Sequence, residues 1–170
     1  SIQFDIELTP IIDDFSNVIS SSFDPSVWSS TSGASADMPC VPFNGNAMVF
    51  SSTNREVITV GSDVASCTSV DFCMWVGNDI STGVTGCDNA DAGDDIELSY
   101  SIDGGTTWAP IQTFNQADWD AGGAYPNAWQ CFSIPIPATA STTNTMFKWE
   151  QLGFAWGNTD NWALDDVSIM

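Results

Sequence analysis

Histidine is absent from this chain, and lysine and arginine together number 2. Without imidazole there is no Ser-His-Asp or Cys-His relay and no Cys-His zinc finger. Arg55 and Lys148 stand alone against 22 acids, and the net charge of -20 sets up a field that repels nucleic-acid phosphates and anionic membrane surfaces. Neither nucleic-acid binding nor membrane insertion is expected, and no apolar run reaches transmembrane length. Glutamate is scarce as well, since 18 of the acids are Asp. Short Asp side chains suit turns and hard-cation sites, whereas Glu and Lys dominate helix surfaces. No segment carries helical periodicity, and no G-x-S-x-G elbow occurs. The chain is not expected to be an enzyme.

What is present is alternation. At 170 residues with 43% apolar content, the chain suits one folded domain. Ser1–Thr9 places Ile2, Phe4, Ile6 and Leu8 on one face, and Pro10 ends the run. Further strands are predicted at Ala47–Ser51, Val57–Val60, Ser69–Gly77, Ile96–Ile102, Thr107–Phe114, Gln130–Ile136, Thr145–Phe154 and Trp162–Ile169. Each has a dry face, so two sheets packed face to face are expected. Long Gly/Ser/Asp/Asn-rich loops separate them at Ser29–Asn46, Asn78–Asp95 and Asn115–Trp129, where function is usually carried.

Within Ile96–Trp108 the sequence IELSYSIDGGTTW reads as a hairpin: Ile96, Leu98, Tyr100 and Ile102 alternate, then Asp103-Gly104-Gly105 supplies the positive-φ residues of a tight turn. Ser101, Asp103, Gly105, Thr107 and Trp108 match the Asp-box pattern S-x-D-x-G-x-T-W. Its Ser and Asp are expected to satisfy turn backbone groups, and its Trp to pack beneath them.

The five cysteines, Cys40, Cys67, Cys73, Cys87 and Cys131, show no C-x-x-C and point to structural disulfides in an oxidising compartment. Pairing four of the five leaves about fifteen arrangements. The expected pairs are Cys73 with Cys87, which closes an acidic loop, and Cys40 with Cys67. Cys131 would then be free or intermolecular.

Several motifs follow one another in the order of a known family. They are Asp13-Asp14-Phe15, Ala47-Met48-Val49-Phe50-Ser51, Val70–Gly77, the Ile96–Trp108 hairpin, Ile134-Pro135 ahead of Ala138, Phe147-Lys148-Trp149-Glu150-Gln151 and Trp162–Ile169. From about Asp13 onward the chain resembles a reelin-type repeat, which implies an all-β jelly-roll sandwich of two antiparallel sheets, related in shape to MAM domains and sandwich carbohydrate-binding modules. The epidermal-growth-factor-like insert of reelin has no counterpart here. Its receptor binding relies on exposed lysines, and this chain has one Lys in total, so the fold is carried over and the signalling role is not.

In sandwiches of this type the first and last strands lie close and can enclose a structural Ca²⁺, which implies a metal site at Asp13, Asp14, Asp165 and Asp166. A second candidate is the acidic loop Asp88, Asp91, Asp94 and Asp95, whose charges repel one another without a cation. The domain proper is read as residues 11–170. Residues 1–10 form a leading strand that pairs either with its own sandwich or with a neighbouring subunit. Donated to a neighbour head to tail, Ile2, Phe4, Ile6 and Leu8 would build a filament. The expected function is therefore a secreted, extracellular, non-enzymatic structural subunit that partners itself. The alternative is a carbohydrate-binding or cell-adhesion module, with Trp119, Tyr125, Trp129 and Trp156 stacking on a glycan. Ser/Thr-rich loops could accept O-linked sugars.

Overall fold

The computed structural model describes residues 11–16, 18, 22–37, 43–77, 88–153 and 159–170. Among them the alternating segments become β1 (Ile11–Asp13), β2 (Trp28–Ser32), β3 (Ala34–Asp37), β4 (Ala47–Phe50), β5 (Glu56–Thr59), β6 (Ser69–Val76), β7 (Ile96–Ser101), β8 (Ala109–Phe114), β9 (Gln130–Pro135), β10 (Met146–Gln151) and β11 (Trp162–Ile169). They make two antiparallel sheets. One runs β3-β4-β11-β6-β9, with β1 also on β11, and the other runs β2-β5-β10-β7-β8. The expected all-β sandwich is the observed fold.

The strand that comes last in sequence lies at the middle of its sheet. β11 pairs with β6 from Trp162↔Val76 to Ile169↔Val70, with β4 from Trp162↔Phe50 to Leu164↔Met48, and with β1 from Ile11↔Ile169 to Asp13↔Val167. A strand flanked on both edges has little access to water, and Trp162, Ala163, Leu164, Val167 and Ile169 are all buried. Between the sheets, Trp149 of β10 stands edge-on to Phe72 of β6 at 5.4 Å and to Trp28 of β2 at 6.2 Å, while Phe72 stands edge-on to Phe114 of β8 at 5.6 Å. Edge-to-face contact sets the positive rim of one ring against the negative face of another, adding to the area each ring buries.

The expected loop Ser29–Asn46 contains β2 and β3. Their residues are mostly Ser, Thr and Ala, whose propensity for strand is unexceptional, and cross-strand pairing with β5 and β4 makes them extended. Ile102 leaves the alternation at the hairpin tip and is exposed. The predicted strand Ser1–Thr9, and with it Ile2, Phe4, Ile6 and Leu8, lies outside the described residues.

The cysteine pairing is corrected. Cys73 and Cys131 are direct partners across β6 and β9 and form a disulfide, while Cys67 carries a free thiol. Cys73 is therefore not joined to Cys87, Cys67 is not joined to Cys40, and Cys131 is not free. Spacing along the chain favours near neighbours, whereas antiparallel pairing brings together cysteines 58 residues apart. Cys40 and Cys87 lie outside the described residues.

The turn after β7 is held by its own side chains. Asp103 Oδ1 accepts from the Thr107 amide at 2.9 Å and from Ser101 Oγ at 2.7 Å, and Asp103 Oδ2 accepts from Thr107 Oγ1 at 2.6 Å. Hydrogen bonds from Thr107, side chain then backbone, hold the Asp103 carboxyl down at about 2. Gly104 and Gly105 take φ of 72° and 85°, which a side chain would disfavour. A Cβ on Gly105 would also touch the Trp108 ring at 3.5 Å, so the indole packs against the turn. This is architecture, with no group left over for chemistry.

Candidate functional site

The antiparallel pairing of β1 with β11 brings the first described acids to the last ones. Asp13 lies opposite Val167; its Oδ1 accepts from the Phe15 amide at 2.9 Å and its Oδ2 from Trp28 Nε1 at 2.7 Å. Asp14 Oδ1 accepts from Ser16 Oγ and the Ser16 amide, which lowers the Asp14 carboxyl below its usual range. Asp165 is different. It is 0% exposed, its Oδ1 accepts from the Asp166 amide at 2.8 Å, and its Oδ2 is buried with no hydrogen-bond partner. Burial pushes this carboxyl up to about 7, and the charges of Asp166, Asp14 and Asp13 add to the shift.

The backbone is strained at two places around this group. Asp166 and the buried Phe15 both have φ of 49°, a left-handed conformation that a large aromatic adopts only under outside constraint. At Phe15 that constraint includes stacking on Trp28, with ring centroids 5.9 Å apart. At Asp166 it coincides with the register shift in β11 between Asp165 and Ser168. Beside the acids lies a cleft of about 410 Å³ lined by Ile12, Asp13, Asp14, Val18, Ser22 and Asp24. An orphaned buried carboxylate oxygen among like charges is the feature here that suits a hard cation, although the oxygens of these four acids do not converge as those of Asp91, Asp94 and Asp160 do.

The second expected site is reorganised. Asp91 and Asp94 do approach each other, but their third member is Asp160, with one carboxylate oxygen from each of the three within 4.8 Å; Asp88 and Asp95 are not part of the group. Asp95 Oδ1 instead accepts from the Gln116 amide at 3.0 Å. Asp94 is raised by burial and by Asp160. This cluster has its own counter-ion. Arg55, driven down to about 10 by burial, feels Asp160 and Asp94. Its guanidinium donates to the Thr159 and Asp160 carbonyls and to Gln151 Oε1. Asp160 comes from the connection that leads into β11, where no sequence periodicity marks its approach to residues 91–94.

Among the described loop aromatics Trp119 is a packing residue, whereas Tyr125 and Trp129 are half-buried. Trp119 is fully buried, donates from Nε1 to the Ala128 carbonyl at 3.0 Å, and lies 5.2 Å from Tyr125 and 6.2 Å from Phe132. Trp129 stacks on Phe43 at 5.1 Å, and both Tyr125 and Trp129 rest against the core. The expected glycan platform is corrected at Trp119, which has no face to offer a sugar. Loop rings lack a strand's alternation to tell the inward face from the outward one. Trp156 lies outside the described residues. No described helix is long and apolar enough to cross a membrane.

Fold and sites together define a class: a β-sandwich module with a buried acidic junction between its first and last described strands. The chain belongs to the reelin repeat family, since the family model for Reelin subrepeat B matches residues 33–170. It also resembles solved sandwich domains in fold. A carbohydrate-binding module of Caldicellulosiruptor saccharolyticus, solved in complex with mannohexaose, is 16% identical with a TM-score of 0.55, covering 95% of this chain and 97% of that one. The K3 cleaved adhesin domain of Lys-gingipain from Porphyromonas gingivalis is 14% identical with a TM-score of 0.54, covering 94% and 97%. A family 29 carbohydrate-binding module is 9% identical with a TM-score of 0.52, covering 95% and 89%. Reelin repeats and carbohydrate-binding modules are non-catalytic domain types.

Proposed function

We propose that this chain is a non-enzymatic, calcium-stabilised recognition module of the extracellular space, which holds a ligand on its sandwich surface and performs no reaction on it. Membership of a family of extracellular domains supports the placement, and the adhesin and carbohydrate-binding neighbours support recognition over catalysis. The observation that carries the reading is Asp165. A carboxyl with an unpartnered oxygen and no exposed surface cannot meet a substrate, yet it suits a buried cation. Asp13, Asp14, Asp165 and Asp166 would hold Ca²⁺, whose charge would offset theirs and fasten β1 to β11. Titrating the chelator-treated chain with CaCl₂ in a calorimeter is expected to give saturable heat. At a hundredfold excess over Kd, about 2.7 kcal/mol of stabilisation raises Tm by roughly 8 °C. No heat and an unmoved Tm would remove calcium from the reading.

One observation favours the filament as a second reading. β1 pairs with β11 alone among the described strands, and its Ile12 is 56% exposed, so this margin has room for an added strand. Residues 1–9, with Ile2, Phe4, Ile6 and Leu8, would be the donated segment. Light scattering is expected to show large particles for the full chain and monomers after deletion of residues 1–9. Monomers in both samples would end the filament reading.

A further inference from the structure

The exposed face of the five-stranded sheet carries a row that the sequence does not reveal. Glu150 of β10 lies directly opposite Glu56 of β5 on one side and Glu97 of β7 on the other. Three of the chain's four glutamates therefore stand in one line across three strands. Directly opposed side chains in an antiparallel pair have Cβ atoms about 5 Å apart, and like charges there destabilise the sheet. Lys148 offsets this at one point, bonding to Glu150 while its ammonium sits 4.9 Å from the Trp108 ring centroid.

Beside Glu56 and Glu150 the surface dips into a cleft of about 280 Å³, lined also by Asn54, Arg55, Gln151 and Leu152. Two of its polar residues are built into the protein: Arg55 is buried and Gln151 is 7% exposed. Arg55 engages Gln151 Oε1 at 3.1 Å, which leaves the amide nitrogen as the donor of this cleft-lining residue, and that nitrogen is buried without a partner. Leu152, 50% exposed, gives the cleft an apolar wall.

This lining selects among ligands. The guanidinium donates to the Ser52, Thr159 and Asp160 carbonyls and to Gln151, so few of its donors remain for an anion, which the carboxylates of Glu56 and Glu150 would repel. A metal ion is disfavoured too, because the Lys148 ammonium already pairs with Glu150 and would repel a second cation there. Carboxylate acceptors, an amide donor and an apolar wall together suit a neutral ligand that is rich in hydroxyls and has an aliphatic face. We infer that the cleft formed by Asn54, Glu56, Glu150, Gln151 and Leu152 is a binding site for a neutral saccharide unit, with Glu56 and Glu150 accepting from its hydroxyls. This inference rests on the recognition reading above and names the ligand class and the residues.

The test uses the full chain and its Glu56→Gln variant on a printed panel of neutral, sialylated and sulfated oligosaccharides, with oligolysine alongside. Calorimetry then follows with the strongest neutral binder. Glu56→Gln preserves shape and removes a like-charge contact with Glu150, so the variant is expected to melt no lower than the native chain. Glutamine exchanges the charged acceptor for a neutral one and puts a donor in place of one oxygen, which is expected to weaken binding about tenfold. Native binding to a neutral sugar that is unchanged in Glu56→Gln overturns the cleft and leaves the recognition reading standing. Native binding to none of the neutral sugars, or only to oligolysine or the acidic sugars, overturns the saccharide reading altogether. A variant that melts well below the native chain would show that Glu56 supports the fold, which also counts against the site.

Discussion

In chelator, the native chain is expected to be less stable at pH 8 than the Asp165→Asn variant, and saturating calcium is expected to reverse that order. An unfolded Asp titrates near pH 3.9, whereas Asp165 in the folded protein is pushed up to about 7 by burial and by its acidic neighbours. Below pH ~4 the group is protonated in both states and has no effect on stability. Between those values the folded state holds the extra proton, so stability falls as pH rises, and above about pH 7 the full penalty remains. Its size is on the order of 4 kcal/mol, or roughly 12 °C in Tm for a chain of this length. Asparagine keeps the oxygen that accepts from the Asp166 amide and removes the charge. Bound calcium would turn the same carboxylate from a burden into a ligand, so the variant would lose the metal's stabilisation. Differential scanning calorimetry of both proteins across pH 4–8, with and without calcium, checks this. Superimposable curves would show that Asp165 neither titrates in this range nor binds the ion.

Replacing both Cys73 and Cys131 by alanine is expected to lower stability by about 3 kcal/mol and Tm by roughly 9 °C. The disulfide spans 58 residues of sequence and joins direct partners on β6 and β9. Constraint of the unfolded chain on that scale is worth up to about 4 kcal/mol in the loop-closure account, with less usually recovered. By contrast, Cys67→Ser changes a free, partly exposed thiol and no cross-link. Denaturant titrations should therefore separate the two substitutions clearly. A double variant that unfolds at the native midpoint would mean that pairing of β6 with β9 needs no covalent support.

Much of the fold was legible because one face of each main strand is dry. The alternation at Val70, Phe72, Met74 and Val76, and at Phe147 and Trp149, marks the residues that meet between the sheets. β2 and β3 were illegible for the complementary reason: strands built of Ser, Thr and Ala are extended by their neighbours' hydrogen bonds and carry little pattern of their own. The approach of Asp13 and Asp14 to Asp165 was expected from the family resemblance, since the first and last strands of such sandwiches lie close, and not from a strand pattern at residues 11–13. That of Asp160 was not, because its place depends on how a connection folds back over Asp91 and Asp94. The Glu56–Glu150–Glu97 row depends on register and strand order together, and neither is written in any one segment. The Cys73–Cys131 bond was hidden in the same way.

The central place of β11 also bears on the order in which the protein is made. Synthesis runs from the N-terminus, so β4 and β6 leave the ribosome well before the strand that fills the gap between them. Until Trp162–Ile169 emerges, both flanking strands present unpaired edges and apolar rings to the cell's other chains. Folding is thus held back to a late, long-range closing event, of the kind that makes sheet-rich domains slow. With a net charge of -20, mutual repulsion among nascent copies would oppose pairing of the waiting edges.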